Sequence, residues 1–546
     1  GGGGGGGGAA AQEEAPESPE GNASQGSGGG REVGEGAGDE TEDEEEEEDG
    51  ENGPPEAART ERRTVSLADL GFLDGVDLEA EFLLDVPTVR TVPRAAQLPL
   101  ADLTQAVAEA LLQAEEGTPL EDRGWKLLQL LHRLCLWAPK GAEGRGQRNR
   151  GGRQAQQSTL IRDRLSAAWR GEWEELLGGA RGRGAEARRR RTGGQLEGEA
   201  LAREVLRRVS LGEFAKAASL LGSPGMATPT ASVEAVLKTL LVRRAEARVA
   251  PPRGSGPGPG VCRKHFREAL RRASRVSGPG PSGSRFTHWA VALQSEAAFD
   301  ALAQVADRVA AANLPEAAVA GLAPVCLHPL RKKPSGVRPV GAGEAFRRLV
   351  ARALLKEEAG ALAEGVGPRQ LGCGLRGGGE KLAHVVRATA AARPQDAWVA
   401  LDLSNAFGEL LRDEALAAAS TVVPRLGAYL RMFLGRDTRY RFVRASGEAV
   451  WLTASEGAEQ GDVWGPVLYS LALAPRIAEL EEELRQLAGG GADDVAVYAY
   501  LDDLVVRVPA HLVGEVVPRA ARILAPTGGR LNASKCHAWS PSAPRP

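Results

Sequence analysis

Cysteine, methionine and aromatic residues are scarce in this chain of 546 residues, which holds 5 Cys, 2 Met and 4% aromatic residues. The cysteines are scattered, and no two of them have the spacing of a zinc site or a redox motif; they are Cys135, Cys262, Cys326, Cys373 and Cys536. Such a pattern is typical of reduced thiols, so we expect an intracellular protein. The sequence also lacks a signal peptide and any apolar run near the roughly 20 residues of a membrane helix, so we expect no membrane partner.

The net charge of −4 averages two segments of opposite sign. Residues 1–60 contain 18 acidic residues and 2 arginines, whereas the rest of the chain carries a net charge of +12. A basic body fits a polyanionic partner such as nucleic acid, although ordinary solubility charge would give the same balance. The chain begins with eight glycines rather than Met, so we expect it to be either a fragment of a longer protein or a conceptual translation.

Composition divides the chain into four regions. Residues 1–60 combine glycine with a block of acids and predict a disordered tail, because they cannot bury enough apolar area to offset their ordering entropy. Residues 61–250 show helical periodicity and arginine-rich runs such as Arg188 to Arg191, which fit flexible phosphate contact, a basic surface loop or a nuclear-import patch. Residues 251–285 are rich in Pro and Gly and predict a linker around the short basic helix "CRKHFREALRRASRV". Residues 286–546 alternate helical and strand-like runs, as a mixed domain does.

Two acidic stretches of this last region follow strand-like runs. "AVYAYLDDLVVRV" predicts a hairpin with Asp502 and Asp503 at its tip, and "AWVALDLSNAF" places Asp402 at the exit of a strand. An acid in such a place is more often a cap or a turn residue than a ligand, so neither stretch is decisive alone. A second acidic pair, Asp493-Asp494, lies on a glycine-rich segment and predicts a solvated turn.

Two further stretches carry loops. In "GAEQGDVWGP" a loop leads into a helix that we expect to begin near Gly465-Pro466, because Pro suits a first helical turn. Gly461 in this loop would let another group approach the backbone closely. "LRKKPSGVRPV" predicts a basic hairpin over Arg331 to Arg338, and an arginine-rich helix follows it.

Six stretches in order resemble the successive motifs of a reverse transcriptase, and they are most similar to those of non-LTR retrotransposons. They are "LRKKPSGVRPVGAGEAFRRL", "PRQLGCGLRGGGEKLAHVVR", "LDLSNAFGEL", "GAEQGDVWGP", "YAYLDDLVV" and "GGRLNASKC". The resemblance covers about residues 300–540. It implies an α+β right-hand polymerase with fingers and a small antiparallel palm sheet, preceded by the mainly helical region. We expect the thumb to be absent or truncated, because the sequence ends soon after the last motif.

The resemblance also implies a catalytic centre. Asp402, Asp502 and Asp503 would be the catalytic carboxylates, and together with the Leu403 carbonyl they would bind two Mg²⁺ ions, with Mn²⁺ as the alternative. Mg²⁺ prefers hard oxygen ligands, and two such ions activate a primer 3′-hydroxyl and steady the leaving pyrophosphate.

The nucleotide would be bound by six further residues, which are Lys333, Arg338, Phe407, Gln460, Gly461 and Lys535. The resemblance places the Phe407 ring under the incoming sugar, where it would exclude a 2′-hydroxyl; the alternative is a core Phe that packs the turn. Val463-Trp464 departs from the family, which commonly has Pro and a smaller apolar residue, so nucleotide binding by this loop is in question.

The sequence therefore predicts a nuclear RNA-directed DNA polymerase of a retroelement. Its partners would be an RNA template, a DNA or RNA primer, and dNTPs. Two alternatives remain at this point: a decayed or domesticated reverse transcriptase that only binds nucleic acid, and an RNA-dependent RNA polymerase. The bulky Phe407 argues against the last of these.

Overall fold

The structure is a computed structural model that describes residues 63–139, 150–187, 198–254, 258–332, 335–491 and 494–542. Several predictions fall outside these ranges, namely the acidic tail, the run Arg188 to Arg191, Lys333 and Asp493. The described residues all belong to one compact unit.

The part that precedes residue 286 is helical where it is described. Its helices are α1 (Leu78–Leu83), α2 (Arg94–Gln113), α3 (Pro119–Cys135), α4 (Arg150–Trp169), α5 (Trp173–Ala187), α6 (Gly198–Val209), α7 (Phe214–Gly222), α8 (Ala231–Leu240) and α9 (Arg263–Arg272). The start of α3 shows why such a segment is helical: Pro119 occupies the first turn, and the Thr118 hydroxyl accepts a hydrogen bond from the Glu121 backbone N–H. Helix α9 is the predicted short basic helix.

The remaining helices alternate with strands. The helices are α10 (Phe286–Trp289), α11 (Glu296–Ala310), α12 (Glu316–Leu322), α13 (Ala345–Glu357), α14 (Ala359–Val366), α15 (Gly378–Ala392), α16 (Ala406–Glu409), α17 (Arg412–Val422), α18 (Gly427–Leu434), α19 (Gly465–Leu487) and α20 (Val513–Leu524). The strands are β1 (Val325–Arg331), β2 (Val337–Gly343), β3 (Asp396–Leu401), β4 (Thr438–Val443), β5 (Ala449–Ala454), β6 (Ala496–Tyr500), β7 (Asp503–Pro509) and β8 (His537–Trp539). The predicted α+β class is confirmed.

The strands form two sheets of four. The first sheet has the order β2-β1-β4-β5, with a parallel pairing between β1 and β4 and antiparallel pairings elsewhere. The second sheet has the order β6-β7-β3-β8 and is antiparallel throughout. The resemblance to reverse transcriptases predicts such a small antiparallel sheet for the palm. The basic hairpin is confirmed as β1 and β2, and the acidic hairpin as β6 and β7.

One hydrophobic core runs across the boundary that composition predicts near residue 286. It extends from Leu67, which precedes α1, to Leu524 at the end of α20. A smaller core forms where Leu237 and Leu241, at the end of α8, pack on Phe442 of the first sheet. The helical region is therefore packed against the sheets, and the domain boundaries drawn from composition stay predictions.

Part of the predicted linker is buried rather than exposed. Residues 280–284 are all buried, and Ser282 donates hydrogen bonds from its backbone N–H (2.6 Å) and its hydroxyl (2.7 Å) to the Glu344 carboxyl. Composition suggested an exposed linker because Pro and Gly rarely pack, but the glycine at 280 lies against Glu344, where a Cβ would come within 2.7 Å of the backbone.

Among the described helices, none is both long enough and apolar enough to cross a membrane.

Candidate active site

The register of the second sheet brings the predicted catalytic acids to one end of it. Leu401, the last residue of β3, pairs with Leu504 of β7. Asp402 follows the one residue and Asp503 precedes the other, so the antiparallel pairing places these acids side by side along the strand direction. Asp502 lies in the tight turn between β6 and β7, where Tyr500 pairs with Asp503.

The electrostatics of Asp502 show that the acids act on one another. Burial raises the pKa of Asp502, although a hydrogen bond from its own backbone N–H lowers it. The negative charges of Asp503 and Asp402 raise this pKa further. The positive charge of Arg338, on β2 of the first sheet, lowers it. The three acids and Arg338 therefore face a shared space, although they come from two sheets.

Tyr469 is a member of the site that the sequence did not reveal. Burial raises the pKa of its hydroxyl, and the charges of Asp502 and Asp503 raise it further, so the phenol stays protonated beside the acids. Its ring stacks on Phe407, with the centroids 4.9 Å apart. The sequence feature that could have identified Tyr469 is its position one turn into α19, which begins at Gly465 next to the predicted loop.

Phe407 is half-buried on α16, directly after the turn that follows Asp402. The stacking on Tyr469 attaches its ring to the main hydrophobic core while part of the residue stays accessible. This position suits both interpretations of the residue, the sugar gate and the core Phe, so its role stays a prediction.

Lys535 contacts Asp402, one of the predicted catalytic acids, directly. Its Nζ lies 3.6 Å from Oδ2 of Asp402, with about half of the lysine side chain (52%) exposed. The segment that carries Lys535 is anchored to the residues that follow β3. The Asn532 N–H donates to the Asp402 carbonyl at 2.8 Å, and the Ser404 N–H donates to the Arg530 carbonyl at 2.8 Å. These two bonds flank Leu403, whose carbonyl takes no part in them.

The loop with Gln460 and Gly461 is attached to the basic hairpin. The Gly341 N–H of β2 donates to the Gln460 carbonyl at 2.7 Å. Gly461 has φ +118°, and a Cβ there would lie 2.3 Å from the Gly341 carbonyl oxygen, so only glycine fits. The close approach predicted for Gly461 thus exists, and its partner in the structure is β2.

A buried ion-pair network attaches this loop to α13. Arg347 of α13 lies 3.3 Å from Glu459 and 3.0 Å from Asp462, and all three side chains are nearly inaccessible. Asp462 also accepts a 2.6 Å hydrogen bond from the Val463 N–H, just before α19 begins. Burial alone would lower the pKa of Arg347, but the two acids raise it above its usual value.

The unusual pair Val463-Trp464 leaves this attachment intact. Trp464 is 2% exposed, and its ring faces Tyr429 of α18 at 6.5 Å. The large side chain therefore points into the core, and the loop residues Gln460 and Gly461 keep their contact with β2.

Asp494, the described member of the other acidic pair, lies at the opposite end of the sheet. Asp494 forms an ion pair with Arg393 at 3.0 Å, and Arg393 also contacts Asp396, the first residue of β3. Since β3 separates Asp396 from Asp402 by six residues, this end is about 20 Å from the predicted catalytic acids. Asp494 is thus a paired surface acid.

The oxygen donors fit a hard divalent cation. In the described part of the chain no group of three or more His, Cys, Asp or Glu side chains is arranged closely enough to hold a metal. The charges of Asp503 and Asp402 nevertheless raise the pKa of Asp502, an effect that a divalent cation beside these carboxylates would offset. The donor set does not identify the ion.

Carboxylates at neighbouring strand ends of a small antiparallel sheet, beside a cationic hairpin and a glycine loop, define a nucleotidyltransferase of the polymerase class. Residues 330–544 match the family model described as reverse transcriptase (RNA-dependent DNA polymerase). This part of the chain is a reverse transcriptase domain, so the reverse transcriptase predicted from the order of the motifs is confirmed, while the non-LTR subtype stays a prediction.

Among the solved structures that match the chain are telomerases, at low similarity. One is the telomerase of Candida albicans in complex with a TWJ fragment of telomeric RNA, with 9% identity, a TM-score of 0.33 and coverage of 41% of this chain and 44% of that chain. Another is the apo telomerase of Candida Tropicalis truncated from its C-terminal domain, with 9% identity, a TM-score of 0.32 and coverage of 41% and 51%. The chain thus spans about half or less of these proteins, and at such scores the likeness says nothing about activity. No curated protein matches the sequence.

Proposed function

We propose that this protein is the RNA-directed DNA polymerase of a retroelement of the non-LTR type. The observation that carries the proposal is the meeting of Asp402 with Asp502 and Asp503 at one end of the second sheet, within a reverse transcriptase domain. The protein would extend a DNA or RNA primer along an RNA template, using dNTPs. Its location in the nucleus stays a prediction.

Each residue has a role in this reaction. Asp402 and Asp502 would hold two Mg²⁺ ions, assisted by Asp503 and the Leu403 carbonyl; when bound, such ions activate the primer hydroxyl and stabilise the charge on the leaving pyrophosphate. Arg338 lies across from the acids and would bind the triphosphate oxygens, which suit a guanidinium group.

The contact between Lys535 and Asp402 supports a role for this lysine near the reacting phosphates. Its ammonium is a proton donor, and an anionic triphosphate that entered the site would compete with Asp402 for it. Lys535 would then give its proton to the departing pyrophosphate, as the resemblance to reverse transcriptases implies.

The activity is tested by extension of a DNA primer on an RNA template with dNTPs and Mg²⁺. Wild type should extend the primer, and Asp502→Asn should lose about a thousandfold or more in rate, because removal of one member of a catalytic set abolishes the transition-state stabilisation that the set provides. Asp494→Asn is the matched control, since it removes one carboxylate from the same hairpin region at the other end of the sheet. It should leave the rate unchanged.

The same assay tests the alternative of a protein that only binds nucleic acid. If wild type and Asp502→Asn incorporate equally little dNTP while both bind the RNA–DNA duplex, the polymerase proposal is wrong and the binding role replaces it. A loss of binding in both proteins would instead show a misfolded preparation, which circular dichroism detects.

Discrimination against ribonucleotides tests the second alternative, an RNA-dependent RNA polymerase. If the half-buried Phe407 ring lies under the sugar, Phe407→Ala should raise the efficiency of rNTP incorporation by about tenfold or more relative to dNTP, because a steric block is removed. Tyr469→Phe keeps the stacked ring and should leave the discrimination unchanged. An unaltered ratio in Phe407→Ala would assign this residue to core packing.

A further inference from the structure

Gln370 is a buried polar residue whose side-chain amide forms hydrogen bonds with the turn of the β6–β7 hairpin. It is 0% exposed and lies between α14 and α15. Its Nε2 donates to the Leu501 carbonyl at 3.1 Å, and its Oε1 accepts from the Leu501 N–H at 2.7 Å. The same Oε1 accepts from the Gly372 N–H at 3.0 Å. One amide side chain therefore satisfies both backbone groups of the residue that precedes Asp502.

Leu501 has a backbone conformation that its side chain disfavours. Its φ is +57°, in the left-handed region, where a non-glycine residue is destabilised by roughly 1–2 kcal/mol. The turn of only Leu501 and Asp502 between β6 and β7 requires it, and it sets the direction in which Asp502 leaves the backbone. An external contact is needed to keep a residue of this type in such a conformation.

The segment around Gln370 is built to supply that contact. The Leu371 N–H donates to the Ala499 carbonyl at 2.7 Å, and the Ala499 N–H donates to the Arg369 carbonyl at 2.9 Å, so the segment pairs with the edge of β6. Gly372 then lies against the turn itself, because a Cβ there would be 2.5 Å from the Leu501 nitrogen.

We propose that Gln370 is a positioning residue for nucleotidyl transfer: its amide holds Leu501 in the left-handed conformation that directs the Asp502 carboxylate toward Asp402. The inference rests on the proposed polymerase function. Gln370 itself touches neither the acids nor the substrate, and it acts only through the backbone of the turn.

Gln370→Met is the variant that tests the role, because it keeps the length of the side chain and removes its three hydrogen bonds. We expect kcat for dNTP incorporation to fall about ten- to a hundredfold, since a displacement of about 1 Å in a catalytic group has an effect of this size. KM for dNTP and Kd for the primer–template should stay within about twofold, because a group needed only in the transition state changes kcat alone.

Gln129→Met is the matched control. Gln129 is a buried glutamine of α3 whose Nε2 donates to the Ala318 carbonyl of α12 at 2.9 Å, so its replacement also removes a buried hydrogen bond. It should change the urea midpoint of unfolding but leave kcat unchanged. Hydrogen exchange of a peptide that covers residues 496–505 should accelerate in Gln370→Met and stay at the wild-type rate in Gln129→Met.

Rescue separates positioning from a general loss of stability. Leu501→Gly removes the penalty of the left-handed conformation, so the double variant Gln370→Met/Leu501→Gly should recover several-fold in kcat over Gln370→Met. The inference is overturned if Gln370→Met keeps wild-type kcat, if Gln129→Met loses as much, or if Leu501→Gly restores nothing. An inactive wild type would instead contradict the polymerase function, while the exchange of the 496–505 peptide would still report whether Gln370 holds the turn.

Discussion

Replacement of Arg347 with Met should destabilise the fold and displace the loop that carries Gln460. The guanidinium lies 3.3 Å from Glu459 and 3.0 Å from Asp462, with the three side chains 4–10% exposed. The Nη1 atom of the same guanidinium donates to the Ala323 carbonyl at 3.1 Å. The substitution therefore leaves two carboxylates of one loop without their buried cation.

The expected loss is about 3–5 kcal/mol, the usual cost of removing one partner from a buried ion pair, and a large part of the roughly 5–15 kcal/mol that stabilises a typical domain. Burial raises the pKa of Glu459, and Arg347 opposes this effect. Without Arg347 the folded protein would hold the proton on Glu459 more tightly than the unfolded chain does. Arg347→Met therefore loses stability as the pH rises through the raised pKa of Glu459. Its loss of unfolding free energy relative to wild type should be larger at pH 8 than at pH 5.

Urea unfolding at the two pH values measures this loss, with Arg348→Met as the matched control. Arg348 is a buried arginine of the same helix, but it donates to the Ser277 hydroxyl and the Gly278 carbonyl rather than to a carboxylate. Addition of Glu459→Gln to Arg347→Met should recover about 1–3 kcal/mol, because the unpaired acid is removed. Equal losses in the two arginine variants, together with no recovery in the double variant, would refute the reasoning.

Three further predictions follow from single contacts. Burial raises the pKa of Glu344 to about 7 from 4.5, so wild type should lose about 3 kcal/mol of stability between pH 5 and pH 8 relative to Glu344→Gln in urea unfolding; parallel pH dependences would contradict this. Gly461→Ala would place a Cβ 2.3 Å from the Gly341 oxygen, so we expect at least a roughly tenfold loss of kcat/KM for dNTP in single-nucleotide incorporation, and a wild-type value would show that the loop adapts. Lys535→Met removes the cation 3.6 Å from Asp402 and should lower kcat for dNTP incorporation by about a hundredfold, because a positioned proton donor contributes an effect of about this size; an unchanged kcat would make Lys535 a surface charge.

The sequence was sufficient to predict the secondary-structure elements that hold the candidate site residues. The apolar runs on either side of Asp502 predicted the β6–β7 hairpin, and the Gly465-Pro466 pair predicted the start of α19. Both signals are local: alternation of apolar residues and a proline in a first turn depend only on neighbours in the chain. The family followed from their order, since chance seldom arranges six motifs correctly.

Burial of the predicted linker could not be inferred in this way. Glycine and proline at 278–281 have the composition of an exposed connection, and the segment is buried because of contacts distant in sequence, such as that of Ser282 with Glu344, 62 residues away. The parallel pairing of β1 with β4, in which Val325 pairs with Tyr440, is more distant still in sequence, and composition holds no signal for it.

The same reasoning explains why the sequence revealed the acids but neither Tyr469 nor Gln370. Carboxylates are recognisable because metal-assisted phosphoryl transfer requires that residue type. A buried tyrosine or glutamine is compatible with many environments, and its role depends on what lies beside it: Asp502 and Asp503 for Tyr469, and the backbone of Leu501, 131 residues away, for Gln370. Residues that hold a catalytic group in place are thus less visible in a sequence than the group itself, and the left-handed turn before Asp502 is the feature that makes Gln370 identifiable here.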